Sequence, residues 1–283
     1  MFEKSLLRIK FLQDFHKMRV WAGYLFGISQ AILLSWNYVR FSAGLEIQLA
    51  ESFLLLMNNW FSYTLMTLGY FIAVADAPFI DNLSNAVMLR AGSRQRWARG
   101  MELYLLLQSL LYWGLMAAAC FSVSALGRLT VQNGWSRVLR TILQVRPAAA
   151  LDYGFVFFSP GVLEIWTPAA AFLHAFLLAV CYTYTLSLLM FTLNLLSRFP
   201  LGNFLVLMLH FLGVLFIKNE GMMPLGGSLL ANAILEFHDG RDTGISLTYS
   251  YLLFAFLLAG EGIGIKSLIR KCDFRVANSE RLW

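Results

Sequence analysis

An all-α membrane protein with six transmembrane helices is the fold class that this sequence predicts. Three observations carry the expectation. Of its 283 residues, 59% are hydrophobic and only 13% are charged, and the mean hydropathy is +0.64. A soluble domain carries about 25% charged residues, so this chain lacks the polar surface to stand in water. The apolar residues gather in uncharged runs long enough to cross a hydrocarbon core, which takes about 20 helical residues. Lysine and arginine fall unevenly between the connections, the asymmetry that orients membrane helices.

The elements follow in chain order. In residues 1–19, Leu7, Phe11, Phe15 and Met18 recur at helical spacing with Lys4, Arg8, Lys10 and Lys17 between them. That pattern predicts an interfacial helix on the inner leaflet. Charge mixed with apolar residues, and no small-residue cleavage site, argue against a cleaved signal peptide. The first two spans are expected at about 20–39 and 52–75, separated by a short loop holding Arg40, Glu46 and Glu51. The third is expected at 103–127, entered through Glu102. Residues 165–197 form 33 uncharged residues, longer than one span needs, so the fourth span is expected at 168–194. The fifth and sixth are expected at 199–217 and 245–265. Gly221–Leu235 is uncharged but has only 15 residues, which predicts a surface or re-entrant segment before the last span. The whole chain, 1–283, reads as a single transmembrane domain.

Orientation comes from basic residues. With the N-terminus inside, inner segments carry 15 lysines and arginines and outer loops 7, so both termini are expected in the cytoplasm. The net charge of +6 is spread over membrane-flanking loops, which favours anionic lipid over nucleic acid as its counterpart. One loop runs against the rule. Residues 128–164 would put Arg128, Arg137, Arg140 and Arg146 outside. Trp135, Leu139, Ile142 and Leu143 are spaced there for an amphipathic helix over 134–146, expected to rest on the outer leaflet.

Residues 76–100 are the richest in possible chemistry. Pro78 stops the second span, Asp81 or Ser84 can cap a short helix, and Gly92 can end it. Val87, Met88 and Leu89 form an apolar ridge, followed by the basic exit Arg90, Arg94 and Arg96. Such a helix fits a groove on a cytoplasmic partner; the plainer reading is a positive loop against lipid headgroups. Within the spans, Glu261 is expected to pair with Lys266. Asn58 and Asn59 have interhelical hydrogen bonding as their ordinary role. His174 and His210 stand apart from other ligand types, so no metal is expected. Cys120, Cys181 and Cys272 suggest no disulfide framework. No nucleophile–base pair, aspartate pair or HExxH stands in the spans, which argues against an intramembrane hydrolase. Gly221–Ser228 is spaced like a phosphate loop, but Gly227 occupies the lysine position, so no ATP is expected on this chain.

Three places resemble one family. The phrase DAPFIDN with Leu89, Arg90, Ser93, Arg94, Trp97 and Gly100 resembles the first cytoplasmic loop of bacterial ABC type-2 permease subunits. Ser159 and Pro160, leading through 172–194 to the phrase FTLNL, resemble the family's fourth span. Residues 246–254 with the basic tail at 271–274 resemble its C-terminus. The resemblance covers nearly the whole chain. It implies a coupling helix in 76–100 that docks on a separate ATP-binding subunit, with Asp76, Pro78, Phe79, Arg90, Arg94, Arg96 and Trp97 in or beside the contact. It places Asn58 and Asn59 in the span that lines the translocation interface, with Glu261 a further candidate for the pathway. It implies ATP and magnesium on the partner subunit, a second permease copy or related permease, and export across a bacterial cytoplasmic membrane; the apolar pathway between such spans favours amphipathic cargo, peptide or lipid-like. The long arginine-bearing loop departs from the family pattern. A different class stays open: a non-transporting scaffold or immunity-type protein that recruits a partner through the same loop.

Overall fold

The computed structural model describes residues 2–76, 93–130, 134–144, 159–197, 200–219, 225–240 and 244–271. Among these, eleven α-helices follow in order. They are α1 (Phe2–Phe15), α2 (Met18–Phe41), α3 (Glu51–Asn58), α4 (Trp60–Val74), α5 (Arg94–Ser124), α6 (Arg137–Gln144), α7 (Pro160–Ile165), α8 (Pro168–Ser197), α9 (Leu201–Lys218), α10 (Leu229–Ala233) and α11 (Leu247–Lys271). Two-residue strands β1 (Glu46–Ile47) and β2 (Arg128–Leu129) pair in parallel. Since β1 follows α2 and β2 follows α5, the C-terminal ends of those two helices share one end of the bundle.

Among the described residues, four helices are long and apolar enough to cross a membrane: α5, α8, α9 and α11. The chain therefore has the make-up of a multi-pass membrane protein. The run expected as a single second span is instead two helices. Asn59 sits at φ −83°, ψ 105° and its Oδ1 accepts from the amides of Phe61 (3.0 Å) and Ser62 (3.4 Å), capping α4 where α3 ends. Asparagine is a good N-cap, so the break has a local cause. The long fourth run is likewise split, with Trp166 in extended conformation between α7 and Pro168 at the start of α8.

Packing follows small and aromatic side chains. Helix α2 lies along α4 and α5, and α8 packs against α5, α9 and α11. A Cβ added at Gly23 would lie 2.4 Å from the carbonyl oxygen of Gly69, so α2 and α4 cross at backbone contact that only glycine permits. The Tyr112 hydroxyl fills the space beside Gly27 and Gly69 and donates to the Met66 carbonyl at 2.7 Å. Trp113 stacks on Tyr63, with ring centroids 5.6 Å apart, and its Nε1 donates to Thr183 at 3.1 Å.

Helix α1 does more than lie on lipid. Phe11 meets Tyr104 edge-on at 5.1 Å, and Asp14, fully buried, accepts from the Tyr104 hydroxyl and from Lys10 at 3.1 Å. The expected outer-leaflet helix is also covered by protein. In α6 and its approach, Trp135, Val138 and Leu139 are buried, while Arg137 and Arg140 point outward. Of the residues expected on the apolar face, Trp135 and Leu139 are covered by the bundle rather than lipid, and the side chains of Ile142 and Leu143 lie outside the described residues. The segment expected to be surface or re-entrant is, over its described part, a 3₁₀ turn (225–227), α10 and a second 3₁₀ turn (235–237). It packs on α8, α9 and α11.

Candidate partner-docking face

The end of the bundle where α5 starts carries the described residues of the expected docking contact: Asp76, Arg94, Arg96 and Trp97. Ser93, extended at φ −156°, caps α5 by accepting from the Arg96 amide at 3.3 Å. Arg94, Arg96 and Arg99 then stand exposed in the first two turns, with no acidic residue in the first turn. A helix N-terminus carries positive partial charge, and an exposed anion there stabilises by about 0.3–1 kcal/mol. Arginines in that position run against the dipole, which marks the site as kept for something other than helix stability. Beside them, Gln95, Ala98, Arg99, Glu102, Lys266 and Arg270 line a groove of about 170 Å³ between α5 and the last turns of α11.

Asp76 faces inward to a clamp. Its Oδ2 lies 2.5 Å from Lys17 Nζ and its Oδ1 pairs with Arg19, tying the end of α4 to the start of α2. Burial alone would raise this carboxyl, but the Lys17 hydrogen bond and the charges of Lys10 and Arg19 outweigh it and hold it below the usual carboxylate range. Asp76 thus positions the chain as it leaves the bundle. Trp97, expected in the contact, is 3% exposed and packs on Phe191 at 5.7 Å, so it belongs to the core. Pro78, Phe79, Val87, Met88, Leu89 and Arg90 lie outside the described residues, as does the expected coupling helix.

The three candidates for a substrate pathway do not meet. Asn58 is buried where α3 joins α4, and neither atom of its amide finds a hydrogen-bond partner. Asn59 is spent on the cap. Glu261 lies near Tyr184, as does Glu102, toward the end where α5 starts. The expected Glu261–Lys266 pair is not formed: Glu261 Oε2 is buried without a hydrogen bond, and Lys266 instead lies near Glu102 across the groove. Residues five apart on a helix project about 140° from one another, which explains the failure.

Two buried networks at the other end escaped the sequence reading. Glu51 is fully buried and accepts from the Tyr38 hydroxyl (2.6 Å), the Gln48 amide (2.9 Å) and the Ser136 amide (2.6 Å). In the second, Asn232 donates to the carbonyls of Gly226 (2.9 Å) and Ser228 (2.8 Å), which fixes its Oδ1 toward Ser250 at 2.6 Å. His238 Nε2 lies 2.8 Å from the same hydroxyl, and its Nδ1 faces the Ile234 carbonyl at 3.0 Å. Ser250 donates its one proton to Asn232 Oδ1, and its oxygen accepts from His238 in the tautomer that carries the proton on Nε2. The signal available in the sequence was slight: a polar residue beside an apolar run.

The segment carrying His238 has a pH signature. Burial pushes His238 down to about 4 from 6.5, helped by nearby His174 and opposed by the Ile234 and Leu235 carbonyls and Asp239. Burial, with Asp239, pushes Glu236 up to about 8 from 4.5. A buried neutral histidine loses stability as pH falls from 6.5 toward 4. A carboxyl kept neutral loses it as pH rises from 4.5 toward 8. The melting temperature in detergent should therefore be flat between about pH 4.5 and 6.5 and fall on either side. Glu236→Gln should flatten the alkaline limb and tilt the plateau, so that stability falls steadily from pH 6.5 downward; an unchanged alkaline limb would show that Glu236 is not its source.

No family model matches the chain, no curated protein is similar to it in sequence, and no solved structure matches its fold.

Proposed function

We propose that this chain is the membrane-spanning subunit of an ATP-driven exporter of the ABC type-2 permease kind, with six spans and both termini in the cytoplasm. Helix α2, the broken α3–α4 pair, α5, α8, α9 and α11 supply the six crossings. The observation that carries the reading is the basic face: Arg94, Arg96 and Arg99, set against the dipole of α5, adjoin the α5–α11 groove and the loop that would press on a partner. The parallel β1–β2 pair fits the alternation of crossings, since it sets the ends of the first and third spans on one side. Two such subunits, identical or related, enclose a pathway. ATPase subunits, holding ATP and magnesium, close beneath them and rock the halves between inward- and outward-facing states. The cargo is amphipathic, a peptide or a lipid-like compound, and the chain itself is not the enzyme.

Purification in mild detergent tests this. A partner with Walker A and signature motifs should come down in a stable complex that hydrolyses ATP only with magnesium. A complex with a partner that has no nucleotide site would favour the scaffold reading and sink the transporter one.

A further inference from the structure

The outer end of the bundle carries a cavity that the transport reading does not use. It measures about 440 Å³ and lies where the β1–β2 pair meets the start of α6. Leu45, Glu46, Arg128, Thr130, Trp135 and Arg137 line it. Small-molecule clefts begin at about 300 Å³, so a headgroup-sized ligand fits. We propose that this cavity binds the phosphate-bearing headgroup of an anionic amphiphile, with Arg128 and Arg137 as its charge partners.

The walls are fixed from below. The Ser136 amide is held by buried Glu51 at 2.6 Å, and Trp135 Nε1 donates to the Trp166 carbonyl at 2.8 Å. Strand pairing sets Arg128 opposite Glu46. A ligand would therefore meet a wall that is already formed, which spares it the ordering cost of a mobile loop. The charge is unbalanced. Glu46 stands 3.4 Å from Arg128 and offsets it in part, while Arg137 is exposed and finds no acidic partner among the described residues. Two arginines against one carboxylate leave one net positive charge facing the cavity. Guanidinium groups match phosphate oxygens in a two-bond fork, a geometry that lysine lacks.

The apolar half of the ligand has a place as well. Leu45, on the cavity rim, is 61% exposed, and Leu126 and Leu129 flank Arg128 in sequence at 72% and 41%. Exposed leucines beside a cationic cavity suit a molecule with a charged head and an apolar tail. The same site answers the anomaly of an outer loop rich in arginine, which the usual charge rule disfavours. Binding here is independent of whether an ATPase docks at the opposite end, so the two readings fail separately.

Native mass spectrometry of the full chain, stripped of lipid in a neutral detergent, provides the test. The probes are short-chain phosphatidylglycerol, short-chain phosphatidylcholine and glycerol phosphate. Phosphatidylglycerol should bind saturably, one molecule per chain, and more tightly than phosphatidylcholine. Joint replacement Arg128→Gln and Arg137→Gln should weaken it about tenfold or more, the equivalent of about 1.4 kcal/mol. Arg140→Gln, exposed on the same helix but off the cavity, should leave binding unchanged. Arg137→Gln alone changes an exposed side chain and should still show a measurable loss if the double variant folds poorly. Displacement by glycerol phosphate would make a soluble phosphate compound the ligand; no displacement would make it a lipid, and either upholds the site. Equal binding by the double variant, or equal affinity for phosphatidylcholine, overturns it.

Discussion

Replacing Glu51 with alanine is expected to lower the melting temperature of the detergent-solubilised chain more than any other single change at the end of the bundle where α5 finishes. The carboxylate takes three donors in a fully buried place: Tyr38 Oη, the Gln48 amide and the Ser136 amide. Removing it takes the accepting oxygen from all three, and a buried donor that loses its acceptor costs about 1–3 kcal/mol. The loss should be on the order of 3 kcal/mol, with the Tyr38 hydroxyl retaining its 3.3 Å contact with Ser136 Oγ. Glu51→Gln should fall between, because its amide nitrogen brings a fourth donor to a site that needs acceptors. Tyr38→Phe supplies the coupling: with Glu51→Ala it should cost less than the two separate losses combined. An alanine variant that melts with the wild type would show that this carboxylate does not hold the α2, α3 and α6 ends together.

What the sequence made legible, and what it hid, divides along one line. Helical periodicity and uncharged length are local properties, and they located α5, α8, α9 and α11 to within a few turns. Burial of Trp97 was also open to reading. Trp97, Met101, Tyr104 and Gln108 recur at helical spacing on one stripe of α5, and all four are buried. The basic residues around Trp97 drew attention away from that stripe. Asn59 had the chemistry of a cap but sat in a run whose lack of charge implied continuity. The spacing of Trp135, Leu139, Ile142 and Leu143 told that one face is apolar, and could not tell whether lipid or protein would cover it. Glu51 was beyond reach. Its donors Tyr38 and Ser136 lie 13 and 85 residues away in sequence, and only the folded chain brings them to one carboxylate. The basic face was legible as charge, and its relation to the end of α11 required the fold.

Aspartate at both Met88 and Leu89 is expected to release the proposed ATPase subunit and abolish coupled ATP hydrolysis while leaving the chain inserted. The ridge of Val87, Met88 and Leu89 is the apolar part of the proposed contact, and central apolar anchors typically contribute about 2 kcal/mol or more each. Two buried charges in their place would reverse that gain. Changing Arg94, Arg96 and Arg99 to glutamate should act differently. These exposed charges form the rim of the proposed contact, so their reversal should slow association at low salt and invert its dependence on salt. Trp97→Ala should do neither and instead destabilise the bundle by about 3–5 kcal/mol, because the side chain fills the core against Phe191. Arg140→Glu, exposed at the far end, serves as the control and should spare the contact. The combination matters more than any one result: an anchor that controls affinity, a rim that controls rate and a tryptophan that controls stability is the pattern of a docking face built on a rigid helix end. If the double aspartate variant still holds its ATPase with full coupled activity, the docking assignment fails and the scaffold reading gains ground.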